Sequence, residues 1–167
     1  VAVVLGTSTG GISEGEAALA AVESGAGWPA GYDYRMQELG GLAECAARVL
    51  ELDGPAYTVG AACASSSKAF AAARRLIRAG LADAAVVGGA DTLCLTTLAG
   101  FDSLGALAPG RCNPFSRHRN GITIGEGASA FLLSPDPGPV VLAGIAETSD
   151  AHHPTARRLS RLIAANQ

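Results

Sequence analysis

The chain has 167 residues and a formal net charge of -3, and 49% of its residues are hydrophobic, which is enough to bury the core of one globular domain. Its twelve Lys and Arg residues do not gather into one basic block, which argues against a nucleic-acid partner. No apolar run approaches the roughly 18 residues that a membrane-spanning helix needs. We therefore expect a soluble, cytoplasmic protein that binds neither nucleic acid nor membrane.

Turn residues and apolar runs predict that strands and helices alternate along the chain. The predicted strands are 1–5, 56–60, 84–88, 128–133 and 140–145. The predicted helices are 14–23, 36–52, 65–79 and 96–103. A long irregular segment, 104–120, precedes the last two strands, and a DPGP turn joins them. This order predicts a layered α/β fold, with helices on both sides of a buried sheet and a terminal antiparallel hairpin.

The four cysteines do not indicate a metal site or a disulfide framework. Cys45, Cys63, Cys94 and Cys112 lack the CxxC spacing of zinc sites, and they are too sparse for a small secreted disulfide scaffold. The glycine turn GTSTGG lacks both the P-loop lysine and the GxGxxG spacing, so it indicates a tight strand-to-helix turn rather than a phosphate site. We expect free thiols, no metal and no cofactor.

One cysteine lies at a chemically useful place, in the stretch TVGAACASSSKAF. Cys63 follows a predicted strand and a turn of small residues, and it precedes a predicted helix. The positive end of a helix dipole favours a thiolate, and backbone N–H groups at such a turn can stabilise an oxyanion. The pattern therefore fits an acyl-transfer nucleophile. It also fits a small buried core residue, because free cysteine is often buried.

Three segments in family order resemble β-ketoacyl-acyl-carrier-protein synthases of the thiolase superfamily. They are the upstream VVLGTSTGGI, the segment GPAYTVGAACASSSKAFAAARRLIRAGLADAAVVGGAD around the cysteine, and the downstream CNPFSRHRNGITIGEGASAF. The resemblance runs from Val1 to about His153 and fits the elongating synthases better than the initiating type. It implies a thiolase-like fold, with 1–167 as part of the N-terminal synthase domain, incomplete at both ends. Residues 154–167 do not match the family.

The resemblance implies a specific chemistry for this sequence. Cys63 would take an acyl group from the phosphopantetheine arm of an acyl-carrier protein, and malonyl-carrier protein would then lose carbon dioxide and attack it. This is the reaction of a 3-oxoacyl-carrier-protein synthase, an acyltransferase of fatty acid or polyketide synthesis. Phe115 resembles a phenylalanine beside the acyl pocket and is otherwise a core aromatic. Glu126 is expected to hold a strand start rather than to act in catalysis.

The histidines that the family uses in decarboxylation belong to later motifs, including HGTGT, that do not occur in this sequence. His118 lies in the irregular segment, and His152 and His153 resemble a family stretch after the hairpin, so structural or pocket-lining roles are expected for them. We therefore expect that this chain alone does not condense malonyl units. The family forms dimers through the strand before the cysteine, here 56–60, which implies a homodimer or heterodimer.

Two alternatives remain open at this stage. The chain could be a noncatalytic thiolase-fold partner, similar to the chain-length factors that dimerise with condensing enzymes. The retained Cys63 argues against this, because those subunits typically replace the cysteine. A truncated or frame-shifted gene product with a foreign tail would also account for the unmatched PTARRLSRLIAANQ.

Overall fold

The computed structural model describes residues 1–148. Residues 1–136 form one compact unit, and the described part of the second unit, 137–148, contains no helix or strand. The strands are β1 (Ala2–Gly6), β2 (Ala56–Val59), β3 (Ala85–Asp91) and β4 (Gly127–Leu133). The helices are α1 (Ile12–Glu23), α2 (Gly41–Val49), α3 (Ser65–Arg78) and α4 (Leu95–Ser103). Within residues 1–148, no helix combines the length and apolarity needed to cross a membrane.

The four strands form one sheet in the order β2-β1-β3-β4. The first three are parallel, and β4 runs antiparallel to β3 with Asp91 opposite Gly127. All five residues of β1 are buried, as expected of a central strand covered on both faces. The continuous apolar run at the start of the sequence therefore reflects burial from two sides rather than from one.

Small residues allow helices to pack on both faces of the sheet. On one face, α3 places Ala69 and Ala73, which are four residues apart, against the buried side chains of β1 and β3. On the other face, α2 places Ala43 and Ala47 against Val3 and Leu5. Alternate residues of β1 thus enter two different cores. This arrangement is the expected layered α-β-α sheet.

Glycines bring the start of α3 unusually close to the sheet. A Cβ on Gly6 would lie only 2.5 Å from the Ser66 amide nitrogen. A Cβ on Gly89 would lie 2.6 Å from the Gly6 carbonyl oxygen and would also overlap the Ser66 hydroxyl. Because neither position has room for a side chain, the first turn of α3 rests directly on the ends of β1 and β3. The residues just before α3 are thereby fixed above that edge of the sheet.

The predicted helix 36–52 is wrong in its first part. A 3-10 turn, Tyr34–Gln37, precedes α2, which begins at Gly41. Residues 38–40 separate these elements, and the successive glycines Gly40 and Gly41 disfavour a continuous helix there. The other three predicted helices are present with bounds shifted by at most two residues at either end.

The predicted terminal hairpin is also wrong. Residues 140–145 form no strand, and β4 pairs with β3 rather than with the residues that follow it. Val140 and Val141 are exposed. An apolar run becomes a strand only where a neighbouring strand offers N–H and C=O groups, and no strand within residues 1–148 pairs with this run.

Candidate active site

The sheet topology brings four chain segments to one edge. The parallel strands β1, β2 and β3 all end there, and the antiparallel β4 begins there, opposite the end of β3. Loops at the carboxyl ends of parallel strands commonly form the binding crevice of an open α/β sheet. Here those loops carry hydroxyl and thiol groups, and the Asp91 carboxylate ends β3, so this edge is the candidate site.

A cleft of about 540 Å³ opens at this edge. The loops after β1 and β3 contribute hydroxyl groups and the Asp91 carboxylate, which we call the polar wall. Helix α4 and the segment before β4 contribute Phe101, Leu104 and Ile124 beside two threonine hydroxyls, and we call this part of the lining the apolar wall. Such a division suits a ligand with a polar reacting end and an apolar tail. The segments that line it are 8–9 after β1, 62–63 after β2, 91–92 at the end of β3, one face of α4, and 123–125 before β4.

Cys63 lines this cleft and is exposed. It lies in a 3-10 turn, Ala62–Ala64, directly before α3. The residue before it, Ala62, has φ 48°, a left-handed conformation that is uncommon outside glycine. The thiol is therefore presented on a sharp turn between a strand and a helix. Within residues 1–148, Cys63 is therefore not part of the hydrophobic core.

The buried hydroxyl of Ser65 holds this turn together. It accepts a hydrogen bond from the Ala61 N–H at 2.9 Å and donates one to the Ala62 carbonyl at 2.6 Å. These two bonds bracket the strained residue, so the turn is fixed on both sides. Ser65, two residues after the cysteine, thus acts as a brace for the turn.

A carboxylate connects the loops that follow β1 and β3. Asp91 Oδ1 accepts hydrogen bonds from the Ser8 and Thr9 amides at 2.6 and 2.9 Å, and from the Thr7 and Thr9 hydroxyls, both at 3.0 Å. Burial raises the pKa of Asp91, but these hydrogen bonds together outweigh it and hold the pKa below its ordinary value. Asp91 is therefore ionised at neutral pH and faces the same cleft as the thiol.

A second carboxylate holds the helix that forms the apolar wall. Glu16 of α1 accepts hydrogen bonds from the Leu95 and Thr96 amides at the start of α4, at 2.8 and 2.6 Å, and from the Thr96 hydroxyl at 2.6 Å. An anion at a helix N-terminus satisfies free N–H groups and complements the helix dipole. The bond from the Thr96 hydroxyl and the two amide bonds lower the pKa of Glu16.

This lowered pKa predicts a pH-dependent contribution to stability. The contribution of Glu16 is present in full above its unfolded pKa and is lost as the pH falls through the lower folded pKa. Glu16→Gln should therefore reduce the free energy of unfolding at pH 7, and the gap between variant and wild type should close in acid. Urea unfolding at a series of pH values measures this gap. A gap that does not change with pH would contradict the assignment.

The structure places Phe115, His118 and Glu126 outside the lining of this cleft. Phe115 is fully exposed with φ 63° and does not line it, so its role beside an acyl pocket stays a prediction. His118 is exposed in the irregular segment. Glu126 accepts a hydrogen bond from the Leu93 amide at 3.2 Å, just before β4 begins, which confirms its expected structural role. His152 and His153 lie outside the described residues.

The remaining cysteines differ in their accessibility. Cys94 is buried, with Sγ 2.9 Å from the Thr97 hydroxyl. Cys45 is exposed and lines a different cleft, beside Arg35 and Arg48. Hydrogen bonds to the Thr123 side chain and backbone lower the pKa of Cys112, which is half-buried. The lowered pKa makes Cys112 a thiol that acylation experiments must control for, and sequence spacing did not single it out. Within residues 1–148, no group of residues is suited to hold a metal ion.

Two supporting residues, Asp91 and Glu16, were not identified from the sequence. A carboxylate that ends a buried strand, in GGAD, and a hydroxyl-rich turn after another strand, in GTSTGG, were the signals for Asp91. The expected tight turn in GTSTGG is present, with Gly11 at φ 74° before α1. Glu16 gave no signal of this kind, because it is one of several acidic residues on a helix.

Residues 1–137 match the model of the β-ketoacyl synthase N-terminal domain. Nodulation protein E of Rhizobium meliloti is 38% identical over 116 residues, which are 64% of this chain and 29% of that protein. The oxytetracycline polyketide β-ketoacyl synthase 1 of Streptomyces rimosus is 35% identical over 119 residues, 67% of this chain and 28% of that protein. The chain thus spans less than a third of the length of either relative.

Comparison with solved structures identifies the fold. The structure of the ketosynthase ApeO in complex with its chain length factor ApeC, from Xenorhabdus doucetiae, matches with a TM-score of 0.75 and 46% identity. The match covers 83% of this chain and 35% of that chain. The ishigamide ketosynthase/chain length factor matches with a TM-score of 0.68 and 36% identity, over 80% of this chain and 34% of that one. The fold is therefore the thiolase-like fold of ketosynthases.

Proposed function

The chain belongs to the β-ketoacyl synthase family, as part of its N-terminal domain, and from this premise we propose that it carries the acyl-accepting cysteine of a condensing enzyme. The observation that carries the proposal is the exposed Cys63 on a strained strand-to-helix turn, in a cleft with one polar and one apolar wall. The substrate class is an acyl thioester of a carrier protein, in fatty acid or polyketide synthesis.

The proposed first step is a thioester exchange. The Cys63 thiolate attacks the carbonyl carbon of the acyl-carrier thioester and forms a new C–S bond. The bond between that carbon and the phosphopantetheine sulfur breaks, and the carrier leaves as a thiolate that takes up a proton. The apolar wall, with Phe101 and Leu104, is placed to receive the acyl tail. The helix start behind Cys63 offers N–H groups and a positive dipole end toward the developing charge.

The proposed second step needs groups beyond those in the cleft. Malonyl-carrier protein releases carbon dioxide, and the resulting carbanion attacks the carbonyl carbon of acyl-Cys63, which frees the cysteine thiolate and leaves a β-ketoacyl-carrier product. This step requires donors that stabilise an enolate. Residues 1–148 contain one histidine, His118. It lies exposed in the irregular segment and does not line the cleft. We therefore assign acyl transfer, but not condensation, to residues 1–148.

A partner chain is part of the proposal. The two outer strands, β2 and β4, carry exposed apolar side chains, including Tyr57, Phe131 and Leu132. Exposed apolar groups on edge strands are suited to further protein contacts. A homodimer or a heterodimer through β2 fits this surface. The ketosynthase ApeO is in complex with a chain length factor, which makes a heterodimer a specific alternative here.

A noncatalytic partner role is the second candidate function, because two of the matched structures contain a chain length factor beside the ketosynthase. The two functions differ in one observable property. A chain-length-factor-like subunit has no use for an accessible thiol in its cleft, whereas a condensing subunit must acylate it.

We expect one acyl group to be transferred when the purified protein is incubated with octanoyl-carrier protein and analysed by intact-mass spectrometry. On addition of malonyl-carrier protein, we expect the acyl-enzyme to persist, with no β-ketoacyl product and no loss of carbon dioxide from the malonyl group. Absence of any acyl adduct on a folded protein would favour the noncatalytic partner. Formation of the β-ketoacyl product would overturn the assignment of acyl transfer alone.

A further inference from the structure

We propose that Asp91 is a positioning residue for acyl transfer, which fixes the hydroxyl-bearing wall of the Cys63 cleft. The inference rests on the proposed function, because the wall matters only if a substrate enters beside the thiol. Asp91 and Thr92, which end β3 and begin the next loop, line the cleft together with Ser8 and Thr9 of the loop after β1. More than 80 residues of sequence separate the two loops.

A single oxygen atom organises the loop after β1. Asp91 Oδ1 accepts four hydrogen bonds, two from backbone amides and two from hydroxyls, at 2.6 to 3.0 Å. Hydrogen bonds to a charged acceptor are stronger than neutral ones. The Ser8 and Thr9 amides lie just beyond the end of β1, where ladder pairing stops. The carboxylate therefore fixes the backbone of the two residues that lie beyond the paired part of β1.

Three further hydrogen bonds join the same two loops. The Thr9 hydroxyl accepts from the Thr92 amide at 3.0 Å, and its single proton is shared between Asp91 Oδ1 and the Thr92 carbonyl, each at 3.0 Å. The Thr92 hydroxyl donates to the Thr9 carbonyl at 2.9 Å. The loops thus form one cross-linked wall rather than two independent segments. A network of this kind fixes geometry more firmly than its separate bonds would.

The same wall is tied to the turn that carries the thiol. Thr7 is buried, and its amide donates to the Val59 carbonyl, at the end of β2 and just before the Cys63 turn. The Thr7 hydroxyl in turn donates to Asp91. Movement of the carboxylate would therefore shift the wall relative to the sulfur. Displacements of about 1 Å in a reacting site can cost roughly 100-fold in rate.

The primary test is Asp91→Asn, because asparagine keeps the shape and one oxygen acceptor but removes the charge. We expect acylation of Cys63 by octanoyl-carrier protein to slow by about tenfold or more, mainly through the maximal rate. Alkylation of Cys63 by iodoacetamide, which needs no ordered wall, should change by less than about twofold. Asp83→Asn is the matched control, because Asp83 is exposed just before the other end of β3.

Hydrogen exchange gives a readout that does not depend on acylation. In Asp91→Asn, the Ser8 and Thr9 amides should exchange faster than in wild type, while amides within β1 keep their protection. If this variant does not fold, Thr92→Val serves instead, since it removes only the bond from the Thr92 hydroxyl to the Thr9 carbonyl. Acylation and exchange equal to wild type in folded Asp91→Asn would overturn the role of Asp91. In Thr92→Val, faster exchange with unchanged acylation would overturn it as well, because the role requires that a fixed wall matters for acylation.

The outcomes also separate this inference from the proposed function. If the wild-type protein is not acylated but the Ser8 and Thr9 amides exchange faster in Asp91→Asn, the acyl-transfer function is refuted. The carboxylate then has only a structural role, and the positioning role is overturned. A wild-type protein that is acylated, with a variant that is acylated equally fast, refutes the positioning role alone. If Asp91→Asn is acylated slowly while its alkylation by iodoacetamide is unchanged, both the acyl-transfer function and the positioning role are supported.

Discussion

Cys63→Ala is expected to abolish stable acyl transfer from a carrier-protein thioester. The variant keeps the small side chain that the turn between Ala62 and Ala64 accommodates, so its fold should be unchanged. It removes the sulfur that forms the covalent bond, and the hydroxyl of Ser65 in the same turn is buried as a brace. We expect the rate to fall by at least about 100-fold, to the level of nonspecific transfer.

Two other thiols provide the matched controls for this loss. Cys45 is exposed in a different cleft, and Cys112 has a lowered pKa, so both can react slowly with a thioester. Cys45→Ala and Cys112→Ala should each retain acylation at close to the wild-type rate. If Cys63→Ala retains acylation and Cys112→Ala loses it, the acyl site is Cys112, and the role of Cys63 is refuted.

Gly6→Ala is expected to cause a large loss of stability, because it adds a methyl group where α3 contacts the end of β1. The new Cβ would lie 2.5 Å from the Ser66 amide nitrogen, and the neighbouring atoms are backbone that cannot rotate away. Overpacking of this kind typically costs about 1 to 3 kcal/mol, and we expect the upper part of that range because α3 must shift as a whole. Urea or thermal unfolding of the variant measures this loss.

Gly100→Ala is the matched control, because the same methyl group is added where no atom lies within 4 Å. Gly100 lies inside α4, where alanine favours the helix over glycine by about 0.5 to 1 kcal/mol. The two substitutions should therefore change stability in opposite directions. Equal, small effects would show that α3 does not rest on the end of β1 as closely as described.

Local patterns in the sequence predicted the elements that form the frame of the site. The apolar run at the start gave β1, the residues before the cysteine gave β2, and the Ala-rich segment gave α3 with its start at Ser65. These predictions succeed because burial, turn residues and helix preference all point the same way at those places. The position of Cys63 between a strand and a helix followed from them.

Long-range contacts explain what the sequence did not show. The link between Asp91 and the Ser8 amide spans 83 positions, and no local pattern marks it. Residues 140–145 have the composition of a strand, but strand formation depends on an available neighbour. Phe115 shows the same limit, since its motif does not specify its surroundings, and the structure leaves it exposed outside the cleft.

The most direct test of the central claim is to map the acyl group after reaction with octanoyl-carrier protein, by proteolysis and peptide mass spectrometry. The account predicts an octanoyl group on the peptide that contains Cys63, at close to one per chain, with Cys94 unmodified because it is buried. An octanoyl group found mainly on Cys45 or Cys112, or on no cysteine of a folded protein, would contradict it.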